Sequence, residues 1–184
     1  MFIHNKWRVY QKSNANHKKR IYWIIGEATV KKVLFVCTGN TFRSMAAEKC
    51  LQAFLEKVGD ATFIVDSAGT RGNPFGVYEE TKEALNSVGV PFSGHNMKRI
   101  SGSDITSETI VICMTKAHQH IIKERFEVNS YLFNMLAYEV DEDLNDDSET
   151  GISPGNSQFA DFIKRVVTQI NDGIPNLYDA LQRL

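Results

Sequence analysis

The run Thr109-Ile-Val-Ile-Cys-Met carries no polar residue at every second place, and this constrains the fold more than any other stretch. A strand with one wet face alternates apolar and polar side chains, so a continuous apolar run belongs to a strand covered on both sides, the usual setting of a parallel sheet. A second such run, Val33-Leu-Phe-Val-Cys, ends at Thr38-Gly-Asn and passes into a helical register through Ala47, Leu51, Phe54 and Val58. That is strand, tight loop, helix. Thr62 to Val65 reads as another strand, ending in Asp66-Ser-Ala-Gly-Thr, and Tyr131 to Met135 as a fourth. Helical patterns occupy Glu79 to Val88 and Lys116 to Phe126. In the last helix Phe159, Phe162, Ile163, Val166, Val167 and Ile170 fall on one face, and Gly173 is the expected stop. The terminal piece Asn171 to Leu184, with Pro175, Leu177, Tyr178, Leu181 and Leu184, is expected to form a short amphipathic turn that packs on the domain or on a second copy.

Four strands interleaved with covering helices specify a three-layer, doubly wound α/β fold. Its core is a four-stranded parallel sheet with helices on both faces, joined by right-handed crossovers. Ligands of such folds bind beyond the carboxyl ends of the strands. Cys37 stands at one of those ends.

Length and charge narrow the function. The 184 residues suit one domain, read here as residues 32–184. Residues 1–31 form a basic arm with Lys6, Arg8, Lys12, Lys18, Lys19 and Arg20 against the single acid Glu27. Its apolar patch Ile21 to Ile25 meets Gly26-Glu27 before reaching the length of a secretory signal. No apolar run approaches the roughly 20 residues that cross a bilayer, so no membrane span is expected. A net charge of -1, with both signs mixed, lacks the footprint of a nucleic-acid binder. Cys37, Cys50 and Cys113 are widely spaced, without a CxxC pair. They argue against a disulfide framework or a zinc site and fit a reducing, cytoplasmic setting. Glu139 to Glu149 holds seven acids and no base, which suits either a solvated loop or a lid that supplies a proton donor.

The chemistry concentrates in Cys37-Thr-Gly-Asn-Thr-Phe-Arg-Ser. Thiol and guanidinium stand six positions apart across a loop that opens a helix. Gly39 and Asn40 tolerate the backbone angles that turn amides inward onto one anion, and the helix beginning near Ser44 adds its amino-terminal field. Positive potential of this kind favours a thiolate. Cys37 can then attack phosphorus while the planar Arg43 fork holds two phosphoryl oxygens. Thr38, Gly39, Asn40, Thr41, Phe42, Arg43 and Ser44 form the expected phosphate-binding loop. The nucleotide-loop pattern GxxxxGK[ST] is missing. Cys50 and Cys113, inside a helix and a strand, read as core residues.

The run Val33 to Ser44, with Ala47-Glu48 after it, resembles the low-molecular-weight protein-tyrosine phosphatase family, as do Asp66-Ser-Ala-Gly-Thr, Ser93-Gly-His, Met114-Thr with His118, and Leu136 to Tyr138. The resemblance implies Cys37 as nucleophile, Arg43 as phosphate clamp, Asn40 as the residue that holds the loop's shape, and Ser44 as a donor to the sulfur. It places His95 in a structural network near the second loop and His118 at a helix start. It implies no metal or organic cofactor, and a phosphorylated protein or small phosphomonoester as substrate.

Three departures matter. The family's Asp-Pro-aromatic acid segment corresponds to Ile152-Ser-Pro-Gly-Asn-Ser, where serine stands in the aspartate's place. The neighbouring acids Asp146, Asp147 and Glu149 are the candidate donors, Asp147 first. Phe42 stands where many relatives have a second cysteine, so no vicinal disulfide can shield Cys37, and Cys50 and Cys113 lack the spacing of the resolving pair in the related arsenate reductases, which speaks against arsenate reduction. Thr41 occupies a slot that tyrosine-directed members fill with a larger aliphatic residue and resembles the arginine-phosphatase branch. Phosphoarginine is therefore the first expected substrate. Phosphotyrosine or an aryl phosphate is the alternative, and a catalytically impaired phosphate-binding module the competing class. The sequence leaves oligomeric state open.

Overall fold

The computed structural model describes residues 9–12, 20–23, 30–72, 76–144, 151–152 and 154–184. Near the amino terminus, β1 (Val9–Lys12) and β2 (Arg20–Trp23) pair antiparallel. The rest is built on β3 (Lys31–Cys37), β4 (Phe63–Gly69), β5 (Thr109–Cys113) and β6 (Tyr131–Leu132), all parallel, in the order β4-β3-β5-β6. Between and after them run α1 (Arg43–Val58), α2 (Glu79–Ser87), α3 (Lys116–Phe126), α4 (Phe133–Tyr138) and α5 (Phe159–Leu181). This is the three-layer α/β architecture read from the alternation of apolar runs.

Strand β3 is the axis of the molecule. Val33, Leu34, Phe35 and Val36 are all fully buried because both faces of the sheet are covered. Val33, Phe35, Cys37 and Ile112 face a core shared with α1, α2, α4 and α5. Leu34, Val36, Val111 and Cys113 face the smaller core that includes Ile122 of α3. Burying each large apolar side chain contributes about 1.5–3 kcal/mol, so the two-sided cover of β3 and β5 dominates the energetics of the sheet.

Three expectations need correction. The second strand does not end at Val65 but runs to Gly69, pairing residue by residue with β3 as far as Cys37↔Gly69. Only Tyr131 and Leu132 of the fourth strand pair with β5. From Phe133 the chain turns helical, because Phe133, Asn134 and Ala137 then share one buried face. Gly173 does not stop the last helix. Helix α5 continues through Gly173 and Pro175 to Leu181, burying Ile174, Leu177 and Leu181. A Cβ on residue 173 would come within 2.8 Å of Ala137 Cβ and 3.0 Å of the Tyr138 ring. Glycine is there so that α5 and α4 can approach, at a helix-propensity cost of about 1 kcal/mol.

Candidate active site

Five residues, Thr38 to Phe42, join β3 to α1 at the carboxyl edge of the sheet. The loop closes back on its own start. Asn40 N–H points at Cys37 Sγ, 3.3 Å away, and Ser44 Oγ lies 2.9 Å from the same sulfur. Helix α1 opens without a side-chain cap at Phe42 and without an acid in its first turn. Amides at a helix start need an acceptor and carry partial positive charge, and this start follows directly on the loop that begins at the thiol.

Asn40 fixes the shape. Its φ of 60° lies in the left-handed region, where asparagine is more at ease than most residues, and it is fully buried. Nδ2 donates to Ser44 Oγ at 3.1 Å and to Ser67 Oγ at 2.8 Å. Oδ1 accepts from Lys98 N at 3.0 Å, and His95 Nε2 lies 3.0 Å from Asn40 O and 3.1 Å from Oδ1. Behind this layer Ser67 Oγ donates to Glu48 Oε2 at 2.5 Å, and His95 Nδ1 stands 3.6 Å from the same carboxylate. Burial pulls the His95 pKa below its usual range, and the nearby Glu48 charge only partly opposes this.

On the other flank, Thr38 Oγ1 lies 2.9 Å from His118 Nε2, whose Nδ1 lies 2.8 Å from Thr115 Oγ1. Beneath the loop, Thr70 N donates to Cys37 O at 2.8 Å and Arg71 N to Thr38 O at 3.0 Å. A Cβ on Gly69 would sit 2.7 Å from Thr38 O, so only glycine lets β4 pass this close. The aromatic ring of Phe42 packs on Phe162 at 6.2 Å, anchoring the end of the loop in the core.

Arg43 is almost wholly buried, and its Nη1 donates to Leu144 O at 2.8 Å. Leu144 N in turn donates to Met114 O at 2.8 Å. This clasp brings the chain just before the acidic candidates next to the guanidinium. Asp146, Asp147, Glu149 and Ser153 themselves lie outside the described residues. Cys50 and Cys113 are buried core residues as expected, at 2 % and 0 % exposure, and burial pushes each thiol up to about 12.

Some of this machinery has no counterpart in the sequence reading. The family resemblance implies the structural network of His95 and the helix start at His118. It says nothing of Ser67, Glu48 and Lys98 around Asn40, or of Thr115 behind His118. Thr115 and His118 carried a usable signal, since a threonine three residues before its partner at a helix start is a capping arrangement.

A thiol that accepts from a loop amide and lies against a hydroxyl, six residues before a buried arginine, suits a cysteine-based site for a tetrahedral oxyanion. The family model of Low molecular weight phosphotyrosine protein phosphatase matches residues 32–184. The chain therefore belongs to that family, and is a cysteine-dependent phosphatase that acts on phosphorylated protein side chains. It is 32 % identical over 119 residues to the low molecular weight protein-tyrosine-phosphatase YfkJ of Bacillus subtilis (strain 168), covering 62 % of this chain and 76 % of that one. It is 33 % identical over 99 residues to a protein-arginine-phosphatase of the same organism, covering 51 % and 62 %. Among solved structures, the YwlE arginine phosphatase from Geobacillus stearothermophilus superposes with a TM-score of 0.68 at 25 % identity, covering 83 % of this chain and 94 % of that one.

Proposed function

We propose that this phosphatase removes the phosphoryl group from phosphoarginine in preference to phosphotyrosine, through a phosphocysteine on Cys37. Three free cysteines, Cys37, Cys50 and Cys113, suit a reducing compartment, and the cytoplasm is the proposed location. Among the described residues no helix is long and apolar enough to cross a membrane.

In the proposed course, amides of residues 38–44 and the Arg43 fork hold the phosphoryl oxygens while Cys37 Sγ attacks phosphorus in line. An S–P bond forms as the bond from phosphorus to the leaving nitrogen breaks, and the leaving guanidine takes up a proton. Asp147 is the proposed donor. Three residues of chain reach at most about 11 Å, and Asp147 is three residues beyond the Leu144 carbonyl that holds Arg43. Water then attacks phosphorus, the same carboxylate takes its proton, and the S–P bond breaks. Ser44 Oγ, 2.9 Å from the sulfur, stabilises the departing thiolate.

The observation that carries the choice of arginine is Thr41, buried at 4 % exposure within the loop. A small hydroxyl leaves room for, and hydrogen-bonds to, a polar guanidinium phosphoramidate, whereas a larger aliphatic side chain presents an apolar wall to an aromatic ring. The competing reading, phosphotyrosine, draws on the similarity to YfkJ. The test is kcat/KM on matched phosphoarginine and phosphotyrosine peptides for the wild type and Thr41→Ile. A wild-type preference for phosphoarginine that shrinks or inverts in the variant supports the proposal. A phosphotyrosine preference unmoved by the substitution removes it. For the donor, Asp147→Asn should lower kcat/KM by about 10²- to 10⁴-fold and abolish the basic limb of its pH profile. An unchanged profile would unseat Asp147.

A further inference from the structure

Beside the phosphate loop, three arginines from separate segments meet at three consecutive residues. Arg125 of α3 sends Nη1 to Thr70 O at 3.1 Å. Arg71 follows Thr70 and gives its amide to Thr38 O at 3.0 Å. The Cβ of Arg99 lies 3.9 Å from the position a Cβ on Gly72 would take, and the chain at Arg99 bridges to Gly69. All three arginines are exposed.

No carboxylate among the described residues pairs with any of them. Among the lysines, Lys32 and Lys98 pair with Asp66, Lys98 also with Asp104, and Lys116 with Asp141, while Lys123 of α3 bonds the amide oxygen of Asn129. Gathering like charge without compensation costs self-repulsion and raises the local positive potential. The same turn is tied to the strand of the thiol, since Thr70 N bonds Cys37 O and Gly72 N bonds Thr38 O at 3.3 Å. On the chain that leads into the Leu144 carbonyl holding Arg43, Asp141 and Asp143 are both taken up by Lys116.

We propose that Arg71, Arg99 and Arg125 form a recognition surface for acidic side chains flanking the phosphorylated residue of a protein substrate. This rests on the phosphatase reading of Cys37 and adds to it a sequence preference. An extended peptide advances roughly 3.3 Å per residue and returns to the same side at every second one. An aspartate or glutamate two positions from the phosphorylated residue therefore reaches the turn next to the loop. The planar arginine fork matches a carboxylate with two parallel hydrogen bonds.

The experiment measures binding of matched phosphopeptides to full-length Cys37→Ser by fluorescence anisotropy, with glutamate, alanine or lysine at the flanking positions. Wild-type turnover of the same peptides is followed in parallel. Glutamate flanks should bind about tenfold more tightly than alanine at low salt, the size expected of two or three exposed charge pairs, and added salt should compress the ratio. The ratio should fall in Arg71→Gln and in Arg99→Gln, and approach one in the triple Arg71→Gln/Arg99→Gln/Arg125→Gln, each protein serving as its own reference. Equal binding of all three peptides, or a ratio that survives the substitutions, overturns the surface. Turnover without flank preference sinks the surface alone; flank-dependent binding without turnover upholds it and sinks the phosphatase reading instead.

Discussion

Two neighbouring strands of the sheet end in a cysteine and lead into a helix, and they differ in what lies between. After Cys113, only Met114 and Thr115 precede α3, and the Thr115 hydroxyl accepts from His118 N, so the helix caps itself. After Cys37, five residues precede α1, one of them left-handed, and no side chain caps the helix. The first turn closes on its own groups. The second directs the Asn40 amide at a sulfur and leaves its helix without a side-chain cap, where an anion can bind. A strand–turn–helix unit thus becomes a site when its loop is long enough to fold back on the strand's last side chain and its helix start is left without a side-chain cap. The two turns also support each other, because His118 bridges Thr115 of one to Thr38 of the other.

The largest contrast between these turns concerns their cysteines. Cys37→Ser should lower turnover by at least about 10⁴-fold, as expected for a lost nucleophile, while Cys113→Ala should leave turnover within the same order. Comparable losses in both would erase the distinction. Next, Asn40→Ala removes the hydrogen bonds to Ser44, Ser67, Lys98 and His95 and puts a residue less suited to φ 60° at a fully buried position. It should cost about 3 kcal/mol of stability with a marked fall in kcat, measured by denaturant unfolding and steady-state kinetics.

A smaller effect should appear with pH. His95 titrates below its ordinary range because burial outweighs the pull of Glu48, so the folded state binds its proton less readily than the unfolded chain does. Its contribution to stability is therefore whole above about pH 6.5 and is lost as pH falls toward the folded value. Denaturant midpoints should drop between pH 7.5 and 5.5, and His95→Gln should shrink that drop. Smallest of all, Thr115→Ala removes the cap of the self-satisfied turn. It should cost about 1 kcal/mol, lowering Tm by about 2–4 °C in a chain of this size, with turnover of the same order.

The same contrast explains what could be read in advance. The β3 loop was legible because its residues carry their reasons locally: an apolar run, glycine and asparagine where the chain must turn, and arginine-serine at a helix start. The sheet was legible because two-sided burial leaves an unbroken apolar string. Tertiary packing decided the rest. Tyr131 to Met135 is apolar enough for a strand, yet only two residues find partners on β5 before the helical face of Phe133 and Ala137 takes over. Gly173 has the propensity of a helix stop, and contact with Ala137 and Tyr138 overrides it. The partners of Asn40 come from residues 44, 67, 95 and 98, and no local pattern connects them. Asp147, favoured for its place near Pro154, lies outside the described residues.

Treatment of the native enzyme with iodoacetamide at pH 7, with and without orthovanadate, followed by peptide mapping, compares all three thiols in one measurement. If the loop presents a reactive sulfur beneath an oxyanion hollow, label appears on Cys37, vanadate suppresses it, and Cys50 and Cys113 stay unmodified until the protein is unfolded. Label spread evenly over the three cysteines, or label on Cys37 that vanadate leaves untouched, contradicts the account.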